Sequence, residues 1–158
     1  MDKKMFCFQC EQTVGCAGCT GNAGVCGKKA DTARLQDELT GALIGLARAV
    51  DSTTAISKRT GQIIIEGLFT TVTNVNFDDV SIENMIQKVR AEKERLVPDC
   101  SKGQSSCGKT DEYDMQQLWN ANEDIRSLKS LILFGIRGMA AYAYHANVLN
   151  YEDTEVNR

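Results

Sequence analysis

The sequence predicts an all-α fold, a helical bundle of the three-helix-bundle type, preceded by an N-terminal Cys/Gly-rich loop. Three observations lead there. Long stretches after residue 31 repeat apolar residues at three- and four-residue spacing, the period of an amphipathic helix. Five of the seven cysteines fall within the first 26 residues, interleaved with glycines, where few apolar side chains could anchor a regular element. The one stretch of strand-favouring composition has no second such stretch to pair with, so no sheet is expected.

Taken in order, residues 1–30 form the cysteine-rich segment, with Gly15, Gly18, Gly21, Gly24 and Gly27 among the thiols, and residues 31–158 form the bundle. Leu35, Leu39, Ala42, Leu43, Leu46 and Val50 define the apolar face of a first helix. The β-branched run Ile63-Ile64-Ile65 through Phe69-Thr70-Thr71-Val72-Thr73 is read as helix, because a lone strand would leave its backbone unpaired. Ile82, Met85, Ile86, Val89 and Leu96 give a further face, with Lys88, Arg90, Glu92 and Glu94 expected to turn outward. Pro98, the only proline, opens a polar loop to about Tyr113. The last and longest pattern is Ile125, Leu128, Leu131, Ile132, Met139, Tyr142, Ala146 and Leu149. Asn120 and Glu123 precede it as a capping box, and Gly135 and Gly138 within it would admit a neighbouring helix. Trp119 is expected to anchor the entry to this helix, and His145 to be a structural core residue.

Composition narrows the function. A formal net charge of −3 offers no broad electropositive surface of the kind that binds a phosphate backbone. No apolar run reaches the roughly 20 residues needed to cross a bilayer. Met1-Asp2-Lys3-Lys4 lacks the hydrophobic stretch of an export signal, so a reducing cytoplasm is the expected location. Neither nucleic acid nor membrane is an expected partner.

The cysteines carry the chemistry. Two thiols separated by two residues can bring both sulfurs to one metal centre, and Cys7/Cys10 and Cys16/Cys19 are two such pairs. Thiolate is a soft ligand, suited to zinc or iron–sulfur centres and poorly to magnesium or calcium. Interleaved glycines let backbone N–H groups approach sulfur, which raises a cluster's potential, and Met5, Phe6 and Phe8 are placed to screen the site from water. Four readings compete: structural zinc on the two pairs with Cys26 spare, disulfides, unligated thiols, and an iron–sulfur cluster. The zinc pairs would sit only five residues apart, tighter than the roughly 15–20 usual in zinc ribbons. An odd count in a reducing compartment disfavours disulfides. The bacterial ferredoxin run C-x2-C-x2-C-x3-C-P is absent.

Met5-Phe6-Cys7-Phe8-Gln9-Cys10-Glu11-Gln12-Thr13, with Gly18-Cys19-Thr20 and Gly24-Val25-Cys26-Gly27-Lys28, resembles the N-terminal signature of the hybrid-cluster (prismane) proteins. The resemblance continues through Leu68 to Asp78 and through Asn122 to Ala146, nearly the whole chain, and it too makes the β-branched run helical. It implies that Cys7, Cys10, Cys19 and Cys26 hold a [4Fe-4S] cluster, or a [2Fe-2S] cluster as second choice. Eight residues between Cys10 and Cys19 match the cubane-carrying subgroup, whereas six between Cys19 and Cys26 depart from its usual five. It further implies an electron-transfer domain at the front of a larger protein that reduces hydroxylamine or nitric oxide. The substrate-reducing hybrid [4Fe-2S-2O] cluster would lie in the remaining domains, and a redox donor would be the other partner. No residue here matches that second cluster's ligands, so this chain alone is expected to be inactive. The competing reading is a helical interaction module with a structural four-cysteine zinc site. Cys16, Cys100 and Cys107 are assigned no role, Lys3, Lys4, Lys28 and Lys29 are expected to be solvated, and Glu152, Asp153 and Glu155 to form a solvated end.

Overall fold

A computed structural model describes residues 5–10, 17–50, 56–97, 111–153 and 155–156. Among them the regular elements are helices: α1 (Ala30–Ala49), α2 (Lys58–Thr70), α3 (Asp79–Leu96), the single turn-and-a-half α4 (Met115–Trp119) and α5 (Glu123–Val148). The only β pairing among the described residues is one isolated antiparallel bridge, between Cys7 and Cys19. The all-α expectation is met, and the β-branched run lies largely in α2.

The core forms where α1 meets α3. Leu35, Leu39, Ala42, Leu43 and Leu46 of α1 pack against Ile82, Met85, Ile86 and Val89 of α3, with Ile63 of α2 completing the apolar centre. The helix ends follow local chemistry. Asp78 accepts the Val80 N–H at 3.1 Å to start α3, and Ser57 Oγ accepts the Thr60 N–H at 3.1 Å to start α2. Asp31 in the first turn of α1 and Arg48 in its last complement the helix dipole. The starts of α1 and α3 are tied by Thr32 Oγ1 donating to Asp79 Oδ1 at 2.6 Å.

Two glycines allow close approach to α1. A Cβ at Gly67 of α2 would stand 2.7 Å from Leu43 Cδ2, so α2 crosses close over α1. At Gly41 a Cβ would stand 2.3 Å from the Tyr113 carbonyl oxygen, and Tyr113 N–H donates to the Gly41 carbonyl at 3.2 Å. The segment leading into α4 is thereby strapped across α1.

Several sequence expectations are corrected. Glu92 does not turn outward: it is fully buried, accepts hydrogen bonds from Thr60 Oγ1 at 2.6 Å and Arg95 Nη2 at 2.7 Å, and pairs with Arg59 at 3.1 Å. Arg90 is also half-buried, clamped between Glu38 and Glu112. The cap of α5 is Asn122, whose Oδ1 accepts the Asp124 N–H at 3.0 Å, while Asn120 closes α4. Gly135 and Gly138 meet nothing within 4 Å, so no neighbouring helix among the described residues packs on them. His145 is exposed, its ring 5.3 Å edge-on to Phe69.

The largest correction concerns α5 itself. Ile125, Leu128, Leu131, Ile132, Met139, Tyr142 and Leu149 are all exposed, Leu131 at 68% and Tyr142 at 83%. The helix faces the bundle with a different stripe, Arg137, Ala140, Ala141 and Tyr144, and Tyr144 stacks on Phe69 of α2 at 4.5 Å. Its main contact is with α2.

Candidate metal centre

The loop that carries the cysteines is built on the one bridge. Cys7 N–H donates to the Cys19 carbonyl at 3.0 Å, Cys19 N–H returns a bond to Cys7 at 2.8 Å, and Met5 N–H reaches Gly21 at 3.3 Å. Two residues that exchange both bonds lie directly opposite, with Cα atoms about 5.5 Å apart and side chains on one face. Cys7 and Cys19 are therefore neighbours, and both are buried. Gly18 at φ +88° turns the chain into this pairing, where a Cβ would press on the Phe6 ring at 3.0 Å.

A second turn presents Cys26. Gly24 N–H donates to the Lys28 carbonyl and Gly27 N–H to the Gly24 carbonyl, each at 2.8 Å, with Gly27 at φ +83°. A Cβ at Gly24 would sit 3.4 Å from Cys26 Sγ and 3.6 Å from Met5 Cε, so this sulfur lies close to the arm that holds Cys7. Cys26 and Cys10 are half-buried, and all four described cysteines are free. Among the described residues no three His, Cys, Asp or Glu side chains are gathered tightly enough to hold a metal ion. The donor chemistry nonetheless suits a soft metal: four free thiols, two of them paired across a bridge and a third beside that arm. Cys16, Cys100 and Cys107 lie outside the described residues.

Residues 5–10 alternate as an extended strand should. Met5, Cys7 and Gln9 are buried on one side, whereas Phe6 and Phe8 turn to the other and pack on Trp119 at 5.1 and 5.0 Å. Of the three side chains expected to screen the thiols, Met5 lies on their side and the two phenylalanines anchor the loop to α4. Trp119 is thus an anchor, half-buried, with the Arg126 guanidinium 4.7 Å above its ring.

Beneath the loop lies a polar stratum that sequence reasoning missed. Gln9 Nε2 donates to the Ala33 carbonyl at 3.1 Å and to Asp37 Oδ1 at 2.6 Å, both on α1. Its Oε1 accepts from Lys28 Nζ at 2.7 Å, and Lys28 is only 2% exposed, not solvated as expected. Arg137 of α5, also buried, donates to Thr71 Oγ1 at 3.0 Å and Thr40 Oγ1 at 2.9 Å. Burial pushes the Asp37 carboxyl up to about 6, against the pull of Gln9, Arg137 and Lys28. Burial likewise raises the Cys7 thiol above its ordinary value, opposed by the Gln9 backbone N–H and the Lys28 charge. The signal for Arg137 was in the sequence, as the sole charge between Ser130 and Tyr144. Nothing in the loop's pattern marked Lys28 as buried.

Fold and loop together define an all-helical domain bearing a thiol-rich, glycine-turned N-terminal loop. The chain belongs to the Prismane/CO dehydrogenase family, whose description matches residues 5–158. It is similar to the hydroxylamine reductases of Methanococcus vannielii, at 38% identity over 98% of this chain, and of Porphyromonas gingivalis, at 40% over 99%. That of Clostridium perfringens is 37% identical over 97% of the chain. In each case the match takes in 32% of the relative, so the chain spans about a third of the length of the proteins it resembles. No helix among the described residues is long and apolar enough to cross a membrane.

Proposed function

We propose that this chain is the N-terminal electron-transfer domain of a protein resembling the hydroxylamine reductases, with a [4Fe-4S] cluster on Cys7, Cys10, Cys19 and Cys26. Residues 1–30 are the cluster-binding segment and 31–158 the bundle that carries it. The observation that supports this most is the hydrogen-bonded bridge setting Cys7 opposite Cys19, with Cys26 turned toward the same arm by Gly24 and Gly27. When bound, a cluster of this kind passes single electrons. The chain's own residues supply soft ligands and exclude water with Met5. Reduction of hydroxylamine or nitric oxide, a hybrid [4Fe-2S-2O] cluster and the contact with a redox donor belong to the further domains of such a protein, working in the cytoplasm.

Those further domains would also account for α5. We infer that polypeptide equivalent to the other two thirds of the relatives covers its outward stripe, since a contiguous row of large exposed apolar side chains marks an interaction surface.

Anaerobic purification followed by iron, acid-labile sulfide and visible-absorbance measurement tests the assignment. Brown protein with near-equal iron and sulfide is expected, with loading lost on changing any one of the four cysteines to Ala. Colourless protein holding one zinc per chain would overturn it in favour of a structural zinc module.

A further inference from the structure

The buried Lys28 is the feature the assignment leaves unexplained. An ammonium withdrawn from water is costly unless a charge or a set of hydrogen bonds compensates it. Lys28 Nζ meets the neutral Gln9 Oε1 at 2.7 Å and lies 5.9 Å from the centre of the Phe77 ring. No carboxylate among the described residues pairs with it directly, and Asp37 is reached only through the Gln9 amide. A fold with no use for the charge could place Met at this position.

Its location suggests the use. Lys28 follows Cys26 by two residues, and Gln9 lies between Cys7 and Cys10. The bond between their side chains joins the two ends of the cysteine loop. Gln9 in turn is fastened to α1 through Ala33 and Asp37, and its backbone carbonyl accepts from Thr73 Oγ1 at 3.3 Å.

We propose that Lys28 is a positioning and charge-compensating residue for an anionic, thiolate-held group, locking the Cys26 turn to the Cys7–Cys10 arm through Gln9 and favouring uptake of negative charge there. The inference rests on the cluster assignment above. Four thiolates around an iron–sulfide core carry net negative charge, and reduction adds one more. A fixed cation nearby, shielded from salt by burial, stabilises the reduced form preferentially.

The test compares wild type with Lys28→Met, Lys28→Gln and Lys28→Arg, each loaded anaerobically with iron and sulfide and titrated electrochemically. Lys28→Met and Lys28→Gln are expected to disfavour reduction at least tenfold, a fall of about 59 mV for a one-electron couple. Lys28→Arg is expected to stay near wild type. Potentials and loading unchanged in Met and Gln variants would overturn the proposal while leaving the cluster assignment standing. Wild-type protein that takes up no iron and sulfide would remove both. Should the Met variant load too little to titrate, normal loading of Lys28→Arg upholds the charge role. Equal loss in Met and Arg variants would show a packing requirement instead and overturn it. Thermal melts of the metal-free variants separate these effects from misfolding.

Discussion

The α1–α3 interface and the outward face of α5 are made of the same residues in the same spacing, yet one is dry and the other wet. Leu39, Leu46, Ile82 and Val89 are inaccessible to solvent, whereas Leu128, Leu131, Ile132 and Met139 are each at least 60% exposed. Helical periodicity says which side chains share a face. It does not say whether anything covers that face. This chain spans about a third of the relatives it matches, and on the reading proposed above further polypeptide covers the α5 face.

Substitutions convert that comparison into energies. Leu39→Ala or Leu46→Ala removes fully enclosed methyls and should cost about 2–5 kcal/mol of unfolding free energy in denaturant titration. Gly41→Ala should come next. Its Cβ would collide with the Tyr113 carbonyl, which is backbone and cannot rotate away, so the strap must lift from α1 at a cost of about 2–3 kcal/mol.

The buried Glu92 gives a smaller loss and a pH signature. Hydrogen bonds from Arg95 and Thr60, with the charges of Arg95 and Arg59, hold its carboxyl down at about 2 from an ordinary 4.5. Its contribution is therefore present above pH 4.5 and is lost as pH falls toward about 2. Glu92→Gln should cost about 1–2 kcal/mol at neutral pH, the lower part of the usual range because Arg59 and Arg95 remain largely hydrated. It should also flatten the acid limb of the stability curve. Asp37 acts with the opposite sign. Its carboxyl is pushed up from 3.8 to about 6 by burial, so its neutral form suits the fold and stability declines as pH rises through that window. In the metal-free chain, Asp37→Asn should abolish that decline, measured by melting temperature at pH 4, 5, 6 and 7. An unchanged slope would mean that another group is responsible.

Much of this architecture was legible in the residues. Apolar periodicity predicts the buried faces of α1 and α3, and α2 is expected to be helix because a solitary strand would leave its own backbone unpaired. Glu92 sets two sequence signals against each other. It lies on the stripe Ile82, Met85, Val89, Glu92, Leu96, so the period placed it inward while its charge argued outward. The period won because two arginines and a threonine converge on the carboxylate. In the loop, the thiol spacing flagged the candidate centre, but the Gln9–Lys28–Asp37 contacts were invisible. They join residues 19 and 28 positions apart through irregular backbone, where no periodicity reports which side is buried.

The smallest effect on the isolated chain is the most informative about α5. Leu128→Glu and Ile132→Glu alter side chains that touch mainly water, so each should change unfolding free energy by no more than about 0.5 kcal/mol. In a chain joined to the C-terminal two thirds of a hydroxylamine reductase relative, the same changes would bury an unpaired carboxylate. They should then lower the melting temperature sharply or abolish soluble assembly. Equal tolerance in both settings would mean that the stripe faces solvent even in the longer protein. A large loss in the isolated chain, accompanied by conversion of a dimer to a monomer in light scattering, would instead mean that a second copy covers α5. Either result contradicts the interior role, and only the contrast between the short and long chains upholds it.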